Sequence, residues 1–285
     1  MDIPEQFVYA IRNVPMLAER LQCMMVSETF EEEEDGAIAD IKQIADACAE
    51  FEQPQLKELL LGVILPFGEI LHKGTKKAGA KGIRIAGLQA IADTKTAKDT
   101  KKTALRYIVE ALARKRPHLL DIVNKFPRAF ECKSASMDKP ELGVKAITRS
   151  ADTLNKALER ARETNDEQFI RSLGAFCEDA AQRSEAIQAR FDDMVSAFKK
   201  TCEYMGEVED EDQKPEKFFP AWCQFVETMQ GTIAKFNADL EKAEKERKKA
   251  ESKAREAEKK ARKKEEKAAK KAKKAAKAEA KRLKA

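Results

Sequence analysis

LQAIADTKTAKDTKKTALRYIVE, residues Leu88 to Glu110, reads as helix, cationic break, helix. Leu88 and Ile91, with Ile85 just upstream, recur at every third position and make one short helical face. Leu105, Ile108, Val109 and Leu112 form the apolar face of a longer helix, expected over Ala97 to Arg116. Between the two faces, Lys95 to Lys102 holds five ionised side chains in eight residues, four of them lysines. The plain reading of KTAKDTKK is a solvated helix start.

Upstream the same periodicity continues. Phe7, Ile11 and Val14 predict a buried helical face after Pro4, and Pro15 fits the first turn of a following helix carrying Leu17, Leu21 and Met24 or Met25. The acidic run Glu31 to Asp35 reads as a solvated helix face or turn, with a contact for a basic partner as the minor reading. Ile38, Ile41, Ile44, Ala45 and Cys48 make the next stripe. From Pro54 a helix carries Leu56, Leu59, Leu60, Val63, Ile64 and Phe67, and Pro66 predicts a kink or an end within it. Lys73 to Gly82, KGTKKAGAKG, has three glycines and four lysines but no phosphate-loop arrangement, so a connector is the better reading than a nucleotide site.

Downstream, Pro117 opens an apolar turn with Leu119, Leu120, Ile122, Val123 and Phe126, and Lys133 to Pro140 is the most loop-like stretch of the body. Two long amphipathic helices follow, one with Ile147, Leu154 and Leu158. The other steps through Ile187, Phe191, Met194, Phe198, Cys202 and Met205, the narrow seam of an antiparallel hairpin or coiled coil. Glu207 to Pro215 breaks the pattern. A last helix buries Trp222, Phe225 or Val226, Met229, Ile233, Phe236 and Leu240, after which the apolar stripe stops.

Composition agrees with an all-α protein: 37% of the 285 residues are charged and only 6% are aromatic. The near-neutral net charge of +5 hides a split. Residues 241–285 hold 21 basic and 9 acidic side chains, whereas residues 1–240 hold 34 basic and 41 acidic. The tail is nearly all Ala, Lys, Arg and Glu, a composition with high helix propensity. The six cysteines form no CxxC pair and read as reduced packing residues. His72 and His118 are far apart in sequence, so no metal, cofactor or catalytic constellation emerges and an enzyme is not expected. No segment is apolar enough to span a membrane and no secretion signal opens the chain, so a cytoplasmic location is expected.

Four segments resemble the C-terminal two-thirds of the formin homology-2 domain, the actin-assembling domain of formins. Pro4 to Met25, PEQFVYAIRNVPMLAERLQCMM, is similar to a family segment with PEQF, a Val-Pro step and ERL. Leu60 to Gly82 resembles the family's apolar helix and glycine-rich turn, with Gly68, Glu69 and His72 where the family has Gly-Asn and a following Asn, and Gly82-Ile83 where it has Gly-Phe. Leu88 to Glu110 matches LxxLxDTKxxDxKxTLLHYIVE at Asp93, Thr94, Lys95, Asp99, Lys102, Thr103, Tyr107, Ile108, Val109 and Glu110. Phe218 to Phe236 resembles the final Phe-rich helix, followed by a basic extension.

The resemblance implies an elongated helical bundle in residues 1–240, with a partial knob, an antiparallel coiled-coil region and a post, then a charged C-terminal helix in residues 241–285. It implies actin binding in filament nucleation and in elongation or capping at the barbed end. The implied actin-contacting lysine is Lys95, supported by Lys98, Lys101 and Lys102. The implied post, which receives the lasso of a partner subunit, contains Gly68, Glu69, His72, Gly74, Gly82 and Ile83. The matched region begins after the family's lasso, linker and first part of the knob, so a homodimer ring is expected only where a lasso is supplied. The competing expectation is a helical scaffold without nucleating activity that binds polyanions, such as microtubules, filament sides, RNA or acidic lipid, through its basic tail.

Overall fold

The computed structural model describes residues 2–74, 79–80, 82–95, 102–207 and 213–282. The chain divides into two compact units, residues 1–230 and residues 231–285. Among the described residues of the first, helices account for nearly all regular structure, and the only extended pairing is an isolated antiparallel bridge between Lys95 and Thr103.

Helix α1 (Ile3–Ile11) is followed by α2 (Leu17–Ala49). The amphipathic face expected at the N-terminus forms but is not buried: α1 contributes no buried residue, and Phe7 is 63% exposed. Ile11 is half-buried and the rest of the helix is exposed, so periodicity alone overstated its burial. Pro15 does not enter the next helix. Met16 stands at the N-cap of α2 in a left-handed conformation, φ 50°, and the Pro15 carbonyl accepts from Arg20 Nε at 3.0 Å. Leu21, Met24 and Met25 lie on the solvent face of α2, and Cys23 and Phe30 take the buried positions instead. The acidic run Glu31 to Asp35 is helix throughout, and Glu34 is half-buried against Arg183.

Two further long helices, α8 (Asp138–Glu163) and α9 (Glu167–Tyr204), pack with α2 as a three-helix bundle. Helices α8 and α9 form an antiparallel hairpin turned at Thr164 to Asp166, where Asn165 adopts φ 52°, a conformation asparagine tolerates better than most side chains. Asp166 then caps α9 by accepting from the Phe169 N–H at 3.0 Å, and it binds Arg20 of α2 at 2.6 Å with both side chains about nine-tenths buried. Arg20 therefore ties all three helices at one end. Farther along, Gly143 lets α8 approach α2 closely, since a Cβ there would stand 3.1 Å from the Ala37 Cβ.

Between α2 and α8 lie the shorter elements. Helix α3 (Pro54–Leu59) leads through a widened π turn (Leu60–Ile64) into α4 (Leu65–Leu71). The helix does not end at Pro66. A bond from the Leu65 N–H to the Leu60 carbonyl, one residue longer than an α turn, opens the backbone ahead of the proline. Helix α5 (Ile85–Asp93), helix α6 (Ala104–Lys115), a 3₁₀ stretch (Pro117–Asn124) and α7 (Pro127–Glu131) follow. Helix α6 starts at Ala104 rather than near Ala97, because Thr103 caps it by accepting from the Arg106 N–H.

The last helix, α10 (Pro215–Arg282), begins in the first unit and continues through the described part of the second. Its N-terminal turns bring Phe218, Phe219 and Trp222 onto Phe51 and Phe126, with Phe225 against Trp222. Phe51 lies 5.2 Å, centroid to centroid, from both Phe218 and Trp222. This aromatic cluster is the core on which the shorter helices rest. The buried stripe of α10 ends at Met229, short of the expected Leu240, which is exposed. All six cysteines are free and buried, and burial pushes the thiols of Cys132 and Cys202 up to about 12.

Candidate functional site

Helices α4 and α5 enclose a groove of about 820 Å³. Its apolar wall includes Ile64, Leu65, Leu71, Ile83 and Ile91. Gly68, Glu69, His72, Gly82 and Ile83, named from sequence as parts of the post, all line it. Gly74 does not: it turns the chain beyond His72 with φ 82°, outside the lining. Glycine at 68 and 82 leaves the lining open, with no heavy atom near where a Cβ would stand.

The far end of the groove is formed by Thr94, immediately before Lys95. Thr94 closes α5: its N–H and its hydroxyl both donate to the Ala90 carbonyl, at 3.0 and 2.6 Å. The Thr94 carbonyl accepts from the Ala104 N–H at 2.7 Å, and Lys95 pairs with Thr103. These contacts pinch residues 94 and 104 into a neck. Lys95 is thereby held at the base of the lysine-rich segment with its side chain exposed.

Lys102 is used differently. Its Nζ lies 3.1 Å from Glu110 Oε1, which also accepts from Arg106 Nε at 3.0 Å. Burial alone would raise the Glu110 carboxyl, but the bonds from Arg106 and Lys102 outweigh it and hold the group below its ordinary range. Lys102 is thus drawn onto α6, its charge partly neutralised. Lys98 and Lys101 lie outside the described residues.

Sequence reasoning missed the groups that hold α5 in place. Buried Glu207 accepts from the Ile85 N–H at 2.8 Å and from Arg84 Nε at 3.2 Å, fastening the first turn of α5. Gly206, φ 75°, passes close to Ile83: a Cβ there would meet the Ile83 carbonyl at 3.2 Å. On the other side, Gln89 Nε2 donates to the Ala221 carbonyl at 3.1 Å and to Gln224 Oε1 at 3.2 Å. In sequence, Glu207 is one acid among many at the edge of the EVEDEDQKP break, and no local signal separates it from its neighbours.

A family model for the Formin Homology 2 Domain matches residues 1–230, the whole of the first unit. The chain belongs to the formin homology-2 family. Among curated relatives, rat protein diaphanous homolog 3 is 26% identical over 246 residues, covering 86% of this chain and 21% of its own length. Mouse disheveled-associated activator of morphogenesis 2 is 25% identical over 227 residues, covering 78% and 20%. Formin-H of Dictyostelium discoideum is 24% identical over 248 residues, covering 85% and 22%. The chain thus spans about a fifth of the length of these formins. Among the described residues, no helix is long and apolar enough to cross a membrane, and no cluster of His, Cys, Asp and Glu has metal-binding geometry.

Proposed function

We propose that residues 1–230 bind actin at the filament barbed end and act in nucleation and in elongation or capping, without making or breaking covalent bonds. The observation carrying this reading is that α5 serves both parts of the proposed formin surface. One side of the helix lines the groove with Gly68 and Ile83, and its C-terminal end presents Lys95. The groove is sized and lined for apolar side chains and would seat a lasso segment from a partner subunit. Lys95, exposed beside the neck, would pair with a carboxylate on actin. A lysine ammonium suits this role, because it is a compact charge on a flexible stem that follows a moving acidic surface. Such an activity lowers the barrier to nucleation by holding subunits together. The surroundings in which it acts are those of the actin cytoskeleton.

Assembly of pyrene-labelled actin with this chain tests the reading. The expected result is slowed barbed-end elongation or faster nucleation. No effect at micromolar protein would overturn it and favour a scaffold that binds polyanions through its basic tail.

A further inference from the structure

In the second unit, α10 continues past the last residue of its buried stripe, Met229. Met229, Ile233, Phe236, Leu240 and Ala243 step by 4, 3, 4 and 3 along the helix. The same register continues through Arg247, Ala250, Ala254, Ala257 and Ala261. Every alanine between 241 and 261 falls on this seam, five of five, although the segment is otherwise almost wholly charged. Alanine placed only for helix propensity has no reason to keep to one face. With Ile233, Leu240, Arg247, Ala254 and Ala261 at the a positions, the flanks separate by charge from Lys253 onward. Glu244, Glu251 and Glu258 stand at e, and Glu246, Lys253 and Lys260 at g.

An isolated helix gains from pairs within itself, and those exist here: Lys248 lies 2.7 Å from Glu244 and Lys245 lies 3.7 Å from Glu241. Such pairs do not account for an alanine seam carrying one charge, Arg247, with acids along one flank and, from Lys253 onward, lysines along the other. That pattern is the one by which coiled coils choose partner and orientation. In a parallel pair of identical helices, g of one heptad faces e of the next heptad on the other copy, so Lys253 meets Glu258 of the second copy. Antiparallel pairing sets e against e and g against g, which brings Glu onto Glu at 251 and 258. One heptad earlier, Glu246 and Glu251 would face each other in the parallel pair. Arg247, the one charge in this part of the seam, extends toward Glu251, 3.9 Å away, and offsets that repulsion.

We infer that residues 240–261 of α10 form a parallel coiled coil with a second copy of this chain, seated on the Leu240–Ala261 seam. Leu240, 53% exposed, is the large apolar side chain of this surface, and Ala243, Ala250 and Ala254 are exposed along it. Small seam residues bring the two helices close, and the opposed flanks set the direction. The contact needs neither lasso nor actin, so it stands or falls independently of the proposed function.

Disulfide trapping in the full chain tests this, since the six native cysteines are buried. Ala243→Cys and Ala250→Cys put a thiol on the seam, and Ser252→Cys puts one on the outer face as a control. With diamide at micromolar protein, both seam variants should cross-link to their own kind roughly tenfold faster than the control, because pairing raises the local thiol concentration. Adding Lys253→Glu and Lys260→Glu to Ala250→Cys should remove most of that advantage. Equal rates at all three positions would overturn the pairing and leave a solitary helix or a different partner. Trapping at only one seam position, or trapping indifferent to the charge changes, would overturn the parallel arrangement.

Discussion

Glu207 governs the proposed surface from 122 positions away, through its bond to the Ile85 N–H. Replacing it by alanine strands that buried donor and takes one partner from Arg84, at a cost of about 1–3 kcal/mol. Glu207→Ala should therefore lower the urea midpoint, and Glu207→Gln, which keeps one acceptor, should lower it less. Asp166 offers a pH signature. The Phe169 N–H and Arg20 both hold its carboxyl below the usual range. Its stabilising effect is then complete above the ordinary carboxylate range and is lost as pH falls through the lowered native value. Denaturation across a pH series should show this acid limb, and Asp166→Asn should flatten it. At this scale the sequence was legible where a residue's role is local. Lys95 stands out through its motif, whereas Glu207, Gln89 and Arg20 act across more than a hundred positions, and no periodicity encodes such partners.

Among the elements, the long helices were readable and their burial was not always so. The seam from Ile187 to Met205 predicts α9, and the three-helix packing of α2, α8 and α9 follows from such faces. The N-terminal face of Phe7 and Val14 has the same periodicity yet lies open, because periodicity reports which side is apolar and not whether anything covers it. The start of α6 shifted because a threonine cap at Thr103 ended the run that composition would have extended. Two element-level outcomes are expected. Gly143→Leu forces side-chain atoms into the backbone of α2 at Ala37 and should destabilise by about 1–3 kcal/mol. Phe51→Ala removes the ring on which Phe126, Phe218 and Trp222 converge and should cost about 3–5 kcal/mol, read from denaturant midpoints.

For the molecule as a whole, the charge split separates two kinds of binding. The proposed formin surface lies within the acidic first 240 residues, and the basic residues 241–285 are expected to attract polyanions in a manner that weakens as salt rises. Removing residues 241–285 should abolish salt-sensitive retention on heparin and leave any effect on actin ends in place. The groove of Gly68 and Ile83 and the exposed Lys95 meet on one short helix held by Glu207 and Gln89, and the proposed activity depends on that meeting. The most direct test is seeded barbed-end elongation with Lys95→Asp beside the unaltered chain. Charge reversal at this contact should raise the concentration needed to slow elongation by about tenfold, on the order of 1.4 kcal/mol, with the urea midpoint unchanged. Equal potency of the two proteins would contradict the assignment of Lys95 to the actin contact.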